Sequence, residues 1–378
     1  MSTTETVLLE PPWAKSGNKW FRTAYKWKRD EIFNWMADMT KADGAGPEDQ
    51  ETRDLLTAIR GRLIDLSLPK GSLYMDKTRR PDSHISRNMN LDWKREDKTS
   101  SKFNVSPMFF RQITKTFKGP APDWWCPYDL LGLFLGLLGP APSTATKYNF
   151  YLPLTGVYGR WCARIAGKPE KSWKWEPDVK GEGTLPYVFQ CTWSLEVDES
   201  TKKHWAKYFL GASTAGDNWE IKNPKSPRYT GAWRERVGED RFKMLYRCQR
   251  IVMVRESDYR EKNAPSQTAA NGSKVAYGNC AETYPFIMIS SSNTTQNLKS
   301  MSGLALQKNF LKDGEYAEYN AASGTAIWEN LMAPCPNCTM LIAQVGATRS
   351  KFDLEKGQGT PPKPLASILA TQDVSVEA

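Results

Sequence analysis

Cys280-Ala281-Glu282 and, further along, Pro334-Cys335-Pro336-Asn337-Cys338 set three thiols and one carboxylate in two short motifs. Three thiolates suffice to hold a divalent zinc ion, Zn2+, and leave a fourth position open for water, which is the arrangement of catalytic zinc sites. A carboxylate beside that water, but not on the metal, can take up and return protons. Glu282, two residues after the first thiol, is placed for that work. The two motifs together thus supply ligands for a metal, a site for a nucleophile and a proton carrier.

The same residues admit other readings. A closed structural site needs a fourth protein ligand, and the chain offers His84, His204, Cys126, Cys162, Cys191 and Cys248. Cys335 and Cys338 also have the spacing of a redox dithiol, but that leaves Cys280-Ala281-Glu282 unexplained. A pseudoenzyme, with the fold kept and the pocket altered, is a further alternative.

Taken together, the motifs resemble those of the zinc-dependent nucleoside and nucleic-acid deaminases. Their H-x-E…P-C-x-x-C pattern has a variant in which Cys replaces the first His. The variant occurs in cytidine-deaminase-type enzymes and in toxin-type deaminases, including the YwqJ-like group. The resemblance covers about Arg241–Gln344, with eight motif residues as its specific part. It implies an α/β fold with a cytidine deaminase-like mixed sheet flanked by helices. Each motif would open a helix on one face of that sheet, with both N-termini converging on the metal. Cys280, Cys335 and Cys338 would be the zinc ligands and Glu282 the general acid and base. The reaction would be hydrolytic deamination of an amino-substituted nucleobase, cytosine to uracil by attack at C4. Three thiolates on zinc leave a charge of about −1. Two helix N-termini, each worth roughly half a positive charge, would offset it and lower the thiol pKa values.

Three features depart from the family pattern. Pro285 stands five residues after Cys280, near the limit at which a helix tolerates a missing N–H. From Glu282 to Cys335 is 53 positions, which calls for an insertion, read here as the polar run Ser290–Ser300. Only 40 residues follow Cys338, and strands from elsewhere are read as an alternative source for completing the sheet.

The elements that must carry the motifs are read from pattern. Residues 1–17 read as loosely attached. Lys19–Met39 reads as a helix, and a second helix opens at Pro47 with acidic first turns and ends near Leu66–Pro69. Pro107–Lys118 reads as a short helix. Leu130–Leu138 is an apolar helix, too short for a bilayer, in which Gly132 and Gly136 allow close packing. Tyr148–Arg160 and Tyr187–Val197, rich in aromatic and β-branched residues, read as strands. His204–Leu210 reads as a short helix, and Gly231–Tyr246 as a helix leading into a strand at 247–255. Lys274–Tyr277 is read as a short strand approaching the first motif. Ala281–Ser290 and Cys335–Gln344 are the motif helices, with Met301–Leu311 a helix and Thr325–Met332 a strand between them. Leu365–Val376 is a final edge strand or a tail. This divides the chain into a mainly helical, Trp-rich N-terminal region (1–146), a strand-rich middle (147–226) and the zinc domain (227–378), the last two of which can be continuous. The N-terminal region adds an α+β part to the α/β fold.

Composition bounds the rest. The chain has 378 residues, 15 Trp, 7 Cys and a net charge of +10. Residues 201–250 carry 12 Lys/Arg against 5 Asp/Glu, and Arg228–Arg250 interleaves Arg234, Arg236, Arg241, Lys243, Arg247 and Arg250 with Tyr229, Trp233 and Tyr246. That stretch is either a solvated helix face or a phosphate-binding surface for single-stranded DNA or RNA, and exposed Trp such as Trp173-Lys174-Trp175 are either core or base-stacking platforms. Scattered cysteines in odd number favour a reducing, cytoplasmic compartment, and Met1–Glu10 shows no secretory signal. No segment is long enough to span a membrane. Asn279 is read as the helix N-cap or a contact to a base edge. Tyr277 and Trp328 are read as pocket walls or core.

Overall fold

The structure is a computed structural model that describes residues 5–14, 19–67, 126–166, 185–197, 204–215, 218–219, 231–248, 277–292, 298–312, 317–354 and 363–369. The expected helix at 107–118, the Trp173–Trp175 cluster, most of the strand expected at 247–255 and all but Tyr277 of the short strand expected before the first motif lie outside these residues.

The N-terminal stretch is a strand, β1 (Glu5–Glu10), rather than a loose end. Leu8 and Leu9 are buried, which supplies the reason. Residues 19–39 form two helices, α1 (Trp20–Ala24) and α2 (Arg29–Met39). The break is set where the Glu31 side chain accepts from the Lys28 N–H at 2.8 Å and starts a new first turn. The helix expected from Pro47 is α3 (Gln50–Ser67). The apolar helix is α4 (Pro127–Leu137), with Pro at its first position, where the missing N–H is not needed.

The strand expected over Tyr148–Arg160 is instead a helix, α5 (Leu152–Ala166), entered through a π-type turn at Lys147–Tyr151. Thr146 and Asn149 cap that turn reciprocally. Thr146 Oγ1 accepts from the Asn149 N–H at 3.2 Å, and Asn149 Oδ1 accepts from the Thr146 N–H at 2.6 Å. Nearly every side chain of α5 is buried, so no polar face marks its helical period. The tryptophans join α1 and α2 to it. Trp161 of α5 stacks on Trp27 at 5.4 Å, meets Trp20 and Trp35 edge-on, and donates its Nε1–H to Ala24 O at 2.7 Å. These rings serve the core.

The middle of the molecule is a four-stranded sheet. Its strands are β2 (Val188–Val197), β3 (His204–Ala212), β4 (Ser302–Gln307) and β5 (Leu331–Met332), in the order β3-β2-β4-β5. All three pairings are antiparallel. The expected mixed sheet is therefore not what these strands form. Parallel pairing occurs apart from it, where β6 (Lys363–Leu369) joins β1. His204–Leu210 and Met301–Leu311, expected as helices, are the strand β3 and the strand β4 followed by a 3-10 turn at Lys308–Leu311. Both are short runs with buried residues on both faces, which periodicity alone does not separate from helix. Thr325–Met332, expected as a strand, is mostly helix α8 (Ala321–Trp328). Asn320 Oδ1 accepts from the N–H groups of Ala322 and Ser323 at 2.9 and 3.0 Å and fixes that helix start.

Helices cover both faces of the sheet. The Phe189 side chain of β2 lies against Gly159 of α5. Phe189 pairs with Ala212, so the neighbouring Gly211 belongs to the opposite face, where it touches Pro285 of α7 (Thr283–Ser292). The result is an α/β layering with one continuous hydrophobic core from Leu8 to Leu354. The free edge of β3 is also covered. Ala206 O accepts from Ala141 N–H at 2.9 Å. A Cβ on Gly132 of α4 would lie 2.1 Å from Leu210 O, so the helix backbone sits directly on the strand edge. Gly132→Val is expected to cost about 3 kcal/mol, the upper end of the range for overpacking, read as a lowered urea midpoint. An unchanged midpoint would show that α4 does not seat there. Among the described residues, no helix is long and apolar enough to cross a membrane.

Candidate metal centre

α7 begins at Thr283, later than the first motif itself. The carbonyl of Glu282, immediately before it, accepts the first helical bond from Phe286 N–H at 3.0 Å. Pro285 therefore falls in the first turn, where an N–H has no partner inside the helix. This removes the difficulty that Pro285 poses for the motif. The second motif helix is α9 (Pro336–Gln344), with Cys335 as its N-cap residue and Pro336 at its first position. Thr339 N–H donates to Cys335 O at 2.8 Å.

The two helix starts converge. Cys280 Sγ lies 3.4 Å from Cys335 Sγ, and the sulfurs of Cys280, Cys335 and Cys338 all lie within 4.8 Å of one another. Ligands on a tetrahedral zinc sit roughly 3.8 Å apart, from a Zn–S distance of about 2.3 Å. The donor set and its spacing fit that ion, and the cluster can bind a metal ion. Among the described residues, no fourth Cys, His, Asp or Glu places a ligand atom within 4.8 Å of all three. Cys126, Cys162, Cys191 and Cys248 are buried outside this cluster. His84 is outside the described residues, and His204 belongs to β3. Cys338 is buried, whereas Cys280 and Cys335 are half-buried and Pro336 is exposed, so the cluster has one side towards solvent.

Glu282 is 5 % exposed. Burial, then the nearby Cys335, push its carboxyl up to about 7, against a hydrogen bond with Cys338. Cys280 and Cys338 do not show the lowering expected from two helix N-termini. Hydrogen bonds with Cys335 and then burial hold Cys280 well above its usual value, and bonds from Cys280 and Cys335 do the same for Cys338. Hydrogen bonding among the neighbouring thiols, then burial, set both shifts. Lowering them falls to a divalent cation.

Asn279 is not the N-cap of α7. Its Oδ1 accepts from Thr214 Oγ1–H at 3.2 Å and its carbonyl from Thr214 N–H at 3.0 Å, just beyond the end of β3. Tyr277 is core, with its hydroxyl 3.4 Å from Met340 Sδ of α9. Trp328 is core as well, packed 5.3 Å from Tyr148. Of the basic stretch, Arg241 on α6 (Trp233–Arg247) is buried and paired with Asp129 at 2.5 Å, and Lys243 pairs with Glu239 and Asp240. Sequence reasoning placed Arg241 among surface cations and passed over Asp129 and Thr214, because nothing in the local pattern separates a buried Arg from its exposed neighbours. No family model, curated protein or solved structure matches the chain significantly.

Proposed function

We propose that this chain is a zinc-dependent hydrolytic deaminase that converts cytosine to uracil in single-stranded nucleic acid. The observation that carries the proposal is the meeting of three sulfurs with a buried carboxyl at two converging helix starts. A closed structural site has no use for Glu282 beside the ligands, and a redox dithiol has no use for Cys280.

Cys280, Cys335 and Cys338 would hold the ion. A zinc bound there supplies Lewis acidity and a water acidic enough to ionise near neutral pH. The remaining work belongs to Glu282. Its carboxylate accepts a proton from the attacking water as the oxygen bonds to C4 of the base. It delivers that proton to the ring nitrogen, N3. It then carries the hydroxyl proton of the adduct to the amino group, the C4–N bond breaks, and ammonia leaves as the C4 carbonyl forms. The solvent-facing side of the cluster is the way in for the base.

A second reading, deamination of free cytidine or deoxycytidine, is favoured by one observation. The described cations of α6 are engaged within the protein, Arg241 by Asp129 and Lys243 by Glu239 and Asp240. Ammonia release from cytidine, deoxycytidine, single-stranded DNA and RNA, measured on zinc-loaded protein, separates the two. Faster release from the polymers, falling steeply with salt, is the expected result. Faster release from the nucleosides selects the second reading. Zinc bound at one per chain with no ammonia from any of them would leave a zinc-stabilised nucleic-acid-binding protein.

A further inference from the structure

The loop that carries Cys280 into the cluster is pinned by groups that are not among its three candidate ligands. Arg241, 3 % exposed, donates through Nε and one terminal nitrogen to Asp129 Oδ2 at 2.8 and 2.5 Å. The same terminal nitrogen donates to Ala212 O at 2.9 Å, and the other donates to Gly278 O at 3.3 Å. One planar guanidinium thus ties together the first turn of α4, the last residue of β3 and the loop two residues before Cys280. The next carbonyl, that of Asn279, is taken by Thr214 N–H at 3.0 Å. Two successive carbonyls ahead of the ligand are therefore fixed.

The loop backbone is also shaped for this contact. Gly278 has φ +93°, a conformation that L side chains rarely adopt, and a Cβ there would lie 2.2 Å from Gly238 O of α6. The approach is mutual, since a Cβ on Gly238 would lie 2.4 Å from Asn279 Oδ1. Tyr277 packs on Phe242 of the same helix and reaches Met340 of α9, two residues past Cys338. The helix α6 is thereby a template for both halves of the cluster.

We infer that Arg241, oriented by Asp129, is a positioning residue that sets the Cys280–Glu282 loop in its ligand-ready geometry before an ion arrives. This rests on the metal reading of the three sulfurs. Lys cannot replace it, because a single ammonium lacks the planar fork that reaches three acceptors in different directions.

The test is a cobalt(II) titration of the full chain against a competing chelator, followed by the thiolate-to-metal absorption band. Wild type, Arg241→Lys, Asp129→Asn and the exposed control Lys243→Ala are compared. The expected result is cobalt affinity lowered about 10–100-fold in the first two variants, the usual effect of losing an outer support, and unchanged in the control. A residue that only stabilised the fold would lower the thermal midpoint and leave the cobalt affinity of the folded protein at the wild-type value, and that outcome overturns the inference. Should neither variant fold, amide hydrogen exchange of residues 277–282 in zinc-stripped wild type decides. Protection comparable to that of α6 supports preformation, and free exchange refutes it. A wild-type protein that takes up no cobalt removes the metal reading and this inference with it, whereas wild-type affinity in both variants removes the inference alone.

Discussion

Glu282→Gln is expected to lower deamination by about 10²–10⁴-fold, the usual worth of a positioned general acid and base, while the protein keeps one zinc per chain. Gln fills the same volume but cannot accept a proton from water or hand one to the ring nitrogen and the leaving amine. Its place in the structure supports the separation of roles. Glu282 lies at the start of α7, buried beside the cluster, and is not one of the three residues whose ligand atoms come together. Cys335 raises the Glu282 carboxyl by like-charge repulsion, after burial. Removing that carboxylate from beside a thiolate-rich centre should therefore leave metal affinity unchanged or slightly higher. Metal content by atomic absorption and ammonia release on the same preparation check both halves. A Glu282→Gln protein with wild-type turnover would end the enzyme reading, and one that lost its zinc would make Glu282 a ligand.

The chemistry-bearing residues were legible because their signal is local. Cys280-Ala281-Glu282 and Pro334-Cys335-Pro336-Asn337-Cys338 state residue types and spacing outright, and Pro336 at the first turn of α9 marks the helix start in the sequence itself. What lies between them was harder. Thr146 with Asn149 and Asn320 with Ser323 are reciprocal caps that announce helices, yet the apolar composition after them reads as strand. The caps win because each satisfies orphaned N–H groups, whereas composition only reports that a segment is buried. The supports of the site were not legible. Asp129 and Arg241 are 112 positions apart, and their pairing depends on α4 lying along the edge of β3. Such a contact follows from topology, and the antiparallel sheet that creates it is set by pairings remote in sequence.

Cys338→Ala is expected to weaken zinc binding by about 10²–10³-fold, if the roughly 10–16 kcal/mol of a four-ligand zinc site is shared about equally among its ligands. The substitution removes little volume, so a bare loss of packing cannot produce an effect of that size. Cys338 also bonds Glu282 and opposes the rise of its carboxyl, so the variant loses a ligand and one constraint on the proton carrier together. The remaining pair, Cys280 and Cys335, bridges two chain segments 55 positions apart, and an ion held by two thiolates fastens them less firmly. Zinc should therefore raise the thermal midpoint of the wild type far more than that of Cys338→Ala. Competition with a chromogenic chelator measures the affinity, and thermal unfolding with and without zinc measures the coupling. Equal zinc affinity in the variant would show that the sulfurs do not act as one ligand set. A loss confined to stability, with affinity preserved, would assign Cys338 to the core of α9 rather than to the metal.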